Sequence, residues 1–408
     1  MAALLSRVYT AFSPPTVEKK SDAIKIGILG AARTAPLSLI TPAKSHPEVI
    51  VQVIAARDHS RAEAFAKKHG IPEFKTSYQE VLDDPNIDAV FIPLPNSLHF
   101  EWSLRAIRAG KHVLLEKPAT ANAIEASILF SQPELSKPGG PVLLEAFHNR
   151  FHPSIRAFRS LINPAEVEHV HTDCMVPWVL ADKNGIEFNY DLAGGSIAHI
   201  GTYTFTLLRL IFDAEPEECL SCETRTFGDG IHDRCDKSSK VSFRFPNGGI
   251  GEGTSTLWGP LLWKPSEARV THRQVVVPDN TLPSDQEKLL TRQVTLHGFM
   301  QAFIWHRIDV KDSYVIRNKV DGQPVKTWVE SKSQKVYSYK DAGAEFANVP
   351  GEDWWMSYRY QLEEFVNRVK GRRTQTWIGA EDSINLMKMV DMAYEKSGLG
   401  LRPTSSFG

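Results

Sequence analysis

The stretch Lys111-His112-Val113-Leu114-Leu115-Glu116-Lys117-Pro118-Ala119-Thr120 decides how this chain folds. Val113 to Leu115 is a short apolar run with the character of a buried strand, and it stops abruptly at Glu116-Lys117-Pro118. Proline has no N–H to give to a central ladder, so the chain must turn there. Two charged residues are left at the carboxyl end of a strand, the edge at which open α/β sheets hold their ligands. A lysine kept in such a crevice has a lowered pKa and can handle protons; a solvated Glu-Lys turn is the alternative.

Upstream, Ile24 to Gly30 is another short buried run, followed by Ala31-Ala32-Arg33-Thr34-Ala35-Pro36. Gly30-x-Ala32-x-x-Ala35 is a relaxed dinucleotide fingerprint, in which small residues let the backbone approach a pyrophosphate. With alanine at two of its three positions the motif is weak when read alone. A second run, Ile50 to Ala56, ends in Arg57-Asp58-His59-Ser60-Arg61. Arg57 comes first there, with Ser60 and Arg61 close behind, which suits a 2′-phosphate and hence NADP rather than NAD. The alternative is that both arginines are only solvated charges. An amphipathic helix over Arg61–His69, a short one at Tyr78–Leu82, a strand at Asp88–Ile92 and a helix at Phe100–Ala109 lead back to the opening stretch. Pro141–Glu145 adds one more strand. Strands and helices thus alternate from 24 to 145, the pattern of a doubly wound parallel sheet.

Beyond residue 146 the texture changes. Phe147-His148-Asn149-Arg150-Phe151-His152-Pro153 crosses out of the first domain, and Val167–Met175 reads as a strand. Ser196 is the expected cap of a helix over Ile197–Phe212, on which His199 and Tyr203 share a face. Strand patterns follow at Cys219–Thr226, Lys240–Phe245, Gly249–Leu257, Arg269–Val277, Val294–Leu296 and Ala302–Ile308, then near Tyr314–Arg317 and Val325–Val329. Gly251 and Gly253 inside one strand mark a bulge or a close backbone approach. Trp354–Val369 and Ala380–Lys396 are helical. The expected fold class is α/β: an N-terminal Rossmann sheet plus a C-terminal α+β domain with a large, mainly antiparallel open sheet. The division is a flexible leader at 1–21, a cofactor domain at 22–146, a substrate and oligomerisation domain at 147–400, and a tail at 401–408. Residues 1–20 are poor in acids and contain Leu4, Leu5 and Arg7, a faint echo of a transit peptide, but Pro14-Pro15 and two lysines favour a disordered leader.

Composition excludes several classes. With 408 residues, 42% hydrophobic and 23% charged, the chain is of ordinary globular make-up, and its net charge of −1 shows no nucleic-acid or membrane surface. No stretch approaches the ~20 apolar residues that span a bilayer. Four cysteines make no disulfide scaffold, so a reducing, cytoplasmic setting is the default. Cys219 and Cys222 form a CxxC in a strand-like segment without a second pair, and no metal site is expected.

Gly27-Ile-Leu-Gly-Ala-Ala-Arg33, Ala-Ala-Arg-Asp-x-Ser-Arg-Ala at 55–62, Ile-Pro-Leu-Pro-Asn-Ser-Leu-His at 92–99, Glu116-Lys117-Pro118, Glu145-Ala-Phe and the helix with Tyr203 occur in that order. Together they resemble the Gfo/Idh/MocA oxidoreductases, most of all the branch of NADP-dependent D-xylose 1-dehydrogenases and dimeric dihydrodiol dehydrogenases. The resemblance covers about residues 22–400. It implies that Lys117 is the catalytic lysine, beside a cis Lys-Pro bond, and that Tyr203 is the general acid/base. In that branch the helix carries Asp-x-Gly-x-Tyr; here it reads His199-Ile-Gly201-Thr-Tyr203, so His199 replaces the aspartate. Gly30, Ala32, Arg33, Ala35, Arg57, Ser60, Arg61, Pro93, Asn96, His99, Glu116 and Lys117 are the candidates for holding NADP. His99 is assigned to the nicotinamide side, a helix-entry histidine without a ligand role being the alternative. His148, Asn149, Arg150, His199 and Tyr203 are the candidates for substrate, although Arg150 could simply pair with an acid. Trp258, Trp263 and Trp305 could form an apolar wall, with core packing the simpler reading of each.

The activity implied is oxidation of an aldose such as D-xylose at C1 to the lactone, by a homodimer or higher oligomer joined through the C-terminal sheet. A trans-1,2-dihydrodiol dehydrogenase, a tailoring reductase of a secondary metabolite and a non-catalytic NADP-binding sensor are the alternatives.

Overall fold

A computed structural model describes residues 2–262, 264–343, 346 and 348–407. Six short strands make the first sheet: β1 (Ile24–Leu29), β2 (Val49–Ala55), β3 (Glu73–Lys75), β4 (Ala89–Ile92), β5 (His112–Leu115) and β6 (Leu143–Glu145). Their order is β3-β2-β1-β4-β5-β6, and every pair is parallel. Ile26, Ile28, Val90, Phe91, Val113 and Leu114 are all fully buried, as helices on both faces of a parallel sheet require. The order reverses between β1 and β4. The loops that leave those two strands, with the turn after β5, therefore open on a common crevice at the carboxyl edge.

Nine strands form the second sheet: β7 (Val167–Pro177), β8 (Glu218–Arg225), β9 (Ser238–Arg244), β10 (Ile250–Gly259), β11 (Glu267–His272), β12 (Val275–Val277), β13 (Gln286–His297), β14 (Arg307–Asn318) and β15 (Pro324–Gln334). The main path runs β15-β14-β13-β11-β7-β10-β9-β8, with β12 on β13; β7 and β10 are parallel and the other pairs antiparallel. One face packs on the helix Thr202–Phe212, whose contact with β10 is close: a Cβ on Gly253 would stand 2.9 Å from Thr204 Oγ1. That is the close backbone approach expected of Gly251 and Gly253. The other face carries ion pairs such as Lys240–Glu252 at 3.2 Å and Arg292–Asp312 at 2.8 Å.

Three expectations need correction. Residues 1–21 are not a free leader: Ala2–Phe12 is a helix whose Arg7 guanidinium donates to the carbonyls of Phe303 and Ile304 and lies over the Tyr337 ring. Arg7, read as a transit-peptide echo, is thus an anchor. Ser196 does not cap the helix at 197. Its hydroxyl and the Ile197 N–H both donate to Asp236 Oδ2, at 2.6 and 2.8 Å, so a carboxylate distant in sequence does the capping. The strand expected at Ala302–Ile308 starts only at Arg307, because the preceding residues turn. The tail at 401–408 docks on the fold: the Arg402 side chain is 0% exposed, donates to Gly194 O at 2.7 Å and pairs with the Asp236 carboxylate, also 0% exposed, at 3.2 Å. The same segment holds the first domain, since Asn122 Nδ2 donates to Arg402 O and Ser405 N to Glu125 Oε1.

A buried charge stripped of its partner is costly, because the remaining ion is left without water. Arg402→Leu is expected to lose about 3–5 kcal/mol of stability, and adding Asp236→Leu to recover part of it. Urea midpoints of the wild type and both variants check this; equal losses in the single and double variants would count against it.

Candidate active site

The crevice is built from its cofactor edge inward. Gly30 follows β1 with φ +111°, and a Cβ there would lie 2.8 Å from Leu94 Cδ2 in the loop after β4, so only glycine fits. Ala35 is fully buried and Ala32 partly buried, leaving the loop backbone bare of large side chains. Arg61 reaches back over it and donates to Ala31 O at 2.9 Å. Asp58 caps the helix His59–His69 and accepts from Arg61 N at 3.0 Å and from Ser60 Oγ at 2.6 Å. Arg57, Ser60 and Arg61 are exposed beside it. These residues fit a phosphorylated dinucleotide.

Three of the expected cofactor residues are engaged elsewhere. Arg33 spans the crevice to pair with Glu187 at 3.3 Å. Asn96 is buried and donates to Ala193 O at 3.0 Å, tying the loop after β4, which begins at buried Pro93, to the second domain. His99 is fully buried, with Nδ1 2.7 Å from Pro118 O and Nε2 2.8 Å from Leu94 O. It clamps the Glu-Lys-Pro turn to the neighbouring loop, so it shapes the crevice from behind instead of facing a nicotinamide.

The Lys117-Pro118 peptide is cis. Lys117 Nζ donates to His199 O at 2.5 Å and stands 4.8 Å from the centroid of the Tyr203 ring. Desolvation lowers the Lys117 pKa against the opposing pull of Glu116, Cys174 and Glu145. Desolvation raises that of Glu116, with Lys117 holding it down. Glu145, at the end of β6, is fully buried; one oxygen accepts from Ala119 N at 2.7 Å and the other has no partner, and burial lifts it to about 7.

The opposite wall comes from the second domain. A wide π turn, Ile197–Gly201, carries His199 and runs into the helix bearing Tyr203. Tyr203 is 4% exposed, and its pKa is raised well above 10 by desolvation, with Tyr358 and Glu116 adding to it. Its Oη lies 3.0 Å from His148 Nε2. His199 is half-buried with Nε2 unpartnered, and desolvation, then Lys117, takes its pKa to about 3.

Lys117, Glu116, Tyr203, His148 and His199 therefore converge. Asn149 is fully buried with both amide atoms unpartnered. Arg150 turns away to pair with Asp382. Trp258 packs on Phe188, Phe227 and Trp178, whereas Trp305 lies by His297; Trp263 is outside the described residues. Ser357, 2.7 Å from His148 Nδ1, and Tyr358, stacked on that ring, were not foreseen. They open a helix about 200 residues further along, and no local motif points to them. Glu145 was legible only as part of Glu145-Ala-Phe.

A doubly wound nucleotide-binding sheet whose carboxyl edge is closed by an open antiparallel sheet, with a lysine between them, defines a class of two-domain oxidoreductase folds. The chain belongs to the Gfo/Idh/MocA family: the model for the oxidoreductase family with NAD-binding Rossmann fold matches residues 24–132, and that for the GFO/IDH/MocA C-terminal domain matches residues 165–261. It is 38% identical over 209 residues to a D-xylose 1-dehydrogenase (NADP(+)) of Haloferax volcanii, a match covering 51% of this chain and 63% of that one, just under two thirds of the relative's length. It is 29% identical over 290 residues to a trans-1,2-dihydrobenzene-1,2-diol dehydrogenase of Mus musculus, covering 64% of this chain and 80% of that one. A 3-ketoreductase of Actinomadura kijaniata, solved with NADP and TDP-benzene, shares the fold with a TM-score of 0.67 at 22% identity, over 92% of this chain and 98% of that one.

Gly30→Ala is expected to cost about 1–3 kcal/mol through the forced left-handed backbone and the clash with Leu94. It should weaken dinucleotide binding as well, both read from urea midpoints and fluorescence titration. His148, with Lys117 adding to desolvation, has its pKa lowered to about 3, so the unfolded chain takes up its proton first as pH falls. Relative to His148→Asn, the wild type should thus lose stability as pH drops from about 6.5 toward 3. Midpoints at pH 7 and 4.5 that fall in parallel would contradict this.

Proposed function

We propose that this chain is an NADP-dependent dehydrogenase that oxidises an aldose such as D-xylose at C1 to the lactone. The observation that carries the reading is the convergence of Lys117, from the turn after β5, and Tyr203, from the helix Thr202–Phe212 of the second domain, with Nζ 4.8 Å from the centroid of the phenol ring. A pure binder needs neither residue at that place. When bound, the oxidised nicotinamide supplies the hydride acceptor for a carbon bearing a hydroxyl.

The remaining chemistry is this chain's own. The substrate hydroxyl must lose a proton, and Tyr203 Oη is the group proposed to take it. A tyrosine buried this deeply is a poor base without a cation nearby. A unit charge at about 5 Å and an effective dielectric of ~20 is worth roughly 3 kcal/mol, or about 10² in ionisation. Lys117 supplies such a charge, and the His199 carbonyl fixes its position. His199, which stands where the family has an aspartate and whose buried Nε2 has no partner, is proposed to bond a second substrate hydroxyl. Arg57, Ser60 and Arg61 are proposed to hold a 2′-phosphate. Asp58, the acid nearest the end of β2, is turned onto its own helix, which supports NADP over NAD.

A specific observation favours a second reading. Trp178, half-exposed immediately after β7 ends at Pro177, stands 6.2 Å from Trp258 between ring centroids, with Phe188 and Phe227 also against Trp258. That aromatic cluster suits the flat ring of a trans-dihydrodiol.

Absorbance of NADPH formed from D-xylose, D-glucose, L-arabinose or a trans-dihydrobenzenediol tests both readings. Lys117→Met is expected to keep NADP⁺ binding and to lower kcat by ~10²–10⁴. Arg57→Ala with Arg61→Ala should weaken NADP⁺ binding by about tenfold or more and leave NAD⁺ unchanged. Unaltered turnover in Lys117→Met would remove the main support for the enzyme reading.

A further inference from the structure

β15 ends the path of the second sheet, and among the described residues β14 is the strand it pairs with. Its other edge takes part in no backbone hydrogen bond there. The strand has 11 residues, about twice the common length, and every one but Trp328 is exposed, Val325 and Val329 by 53% and 54%. Free N–H and C=O groups along such an edge invite another strand, so proteins usually shorten, kink or bulge it. Here the one register shift against β14 lies between Ile316 and Arg317, opposite Lys326 and Pro324, and the strand is regular from Lys326 to Gln334.

The charges on β15 select what can pair with it. Lys326 and Lys332 turn away a strand that brings no acid. Lys326 lies over the Trp328 ring with Nζ 5.2 Å from its centroid, and Glu330 accepts from Trp328 Nε1 at 3.2 Å. Both charges thus flank one indole on one face of the strand. A second copy of β15 brings the complementary pattern. Two copies set edge to edge about a twofold axis normal to the sheet run antiparallel, and residues opposite each other share a face. With Trp328 on the axis, Lys326 faces Glu330 of the second copy, Thr327 faces Val329 and Val325 faces Ser331, each pair occurring twice. Moving the axis to Val329 sets Lys326 against Lys332, and moving it to Lys326 or Glu330 sets a charge against itself. An axis at Thr327 leaves both Lys326 and Glu330 without an opposite charge. One at Ser331 pairs Glu330 with Lys332 but shortens the overlap from 324–332 to 328–334.

We propose that two copies of this chain pair through β15, antiparallel about Trp328, so that one sheet continues from copy to copy. The inference does not depend on the dehydrogenase reading. Main-chain hydrogen bonds along 324–332, two Lys326–Glu330 pairs and the withdrawal of Val325, Trp328 and Val329 from water stabilise the contact. An isologous contact uses up both β15 edges, so it closes at two copies and does not grow into a fibre. The open face of the sheet is not the contact. Its charges are already paired within one chain, as in Lys240–Glu252 and His297–Glu267, both at 3.2 Å. Burying those pairs would cost desolvation without adding a partner.

Sedimentation equilibrium of the full-length protein tests the contact, and the wild type is expected to dimerise. Lys326→Glu should raise the dimer Kd about tenfold or more, because the twofold axis turns one substitution into two repulsive pairs. Glu330→Lys should do the same. A mixture of the two variants should form a mixed dimer with the wild-type Kd, since each chain then faces the charges it needs. Both positions are exposed, and unchanged circular dichroism will show that the fold is intact. Trp328→Cys should join into a disulfide-linked dimer on mild oxidation. Gln334→Cys, whose two copies lie about 40 Å apart in this register, should not. A wild type that stays monomeric would overturn the proposal. So would a dimer indifferent to both charge reversals, which would place the contact on another surface, or linkage at Gln334→Cys as strong as at Trp328→Cys. Weakening by Glu330→Lys but not by Lys326→Glu would move the axis to Ser331 and overturn the register.

Discussion

Taking the Lys117 ammonium out of water is the constraint on which the site depends. The charge is offset by one carbonyl, that of His199, and by the pull of Glu116 and Glu145, themselves disfavoured as anions by burial. One of those partners sits in the second domain, so the balance exists only if two separately built sheets are held in register. Several contacts serve that end: the Asn96 amide on Ala193 O, Arg33 across to Glu187, and the last residues of the chain, which bond both domains. The crevice is thus a product of domain packing more than of either sheet alone.

Within each wall the local fold decides what a side chain can do. Because β1, β4 and β5 are neighbours in a parallel sheet, three loops separated in sequence meet at one edge. His99 joins two of them by bonding the carbonyls of Leu94 and Pro118. A neutral ring would turn a lone pair toward one of those oxygens, whereas an imidazolium would satisfy both, yet burial takes the pKa to about 4. The neutral form, with one good and one poor contact, follows from the depth of burial. Opposite, glycines in β10 let the helix bearing Tyr203 settle onto the sheet, which fixes how far its phenol reaches.

Much of this was legible in the chain itself. The alternation of short apolar runs with helices gave the first sheet, because parallel strands buried on both faces leave a strong local signal. Lys117 and Tyr203 were legible because a proline stop and a motif with fixed spacing mark them. What stayed hidden is long-range. Ser357 and Tyr358 behind His148, Asp236 under the helix start and Arg402 beside it are set by tertiary packing, and neighbouring residues do not predict them. Some polar residues find their partners only in the fold: Arg33 pairs with Glu187 and Asn96 bonds Ala193 O, whereas the acid partner allowed for Arg150 is there in Asp382. The leader at 1–21 was read from composition, which says nothing about a single arginine able to anchor a segment.

The buried pair of Arg402 and Asp236 has a meaning for the order of folding. Arg402 closes on Gly194, 208 residues earlier, and on the carboxylate that caps the helix bearing Tyr203. Closing so long a loop is slow, since its entropy is lost before the contact is gained. Two sheets that have already formed therefore do not yet make a finished crevice. Without Arg402 in place, Asp236 holds the π turn beneath His199 as an uncompensated buried carboxylate, so the second wall of the crevice is completed by a contact between distant parts of the chain.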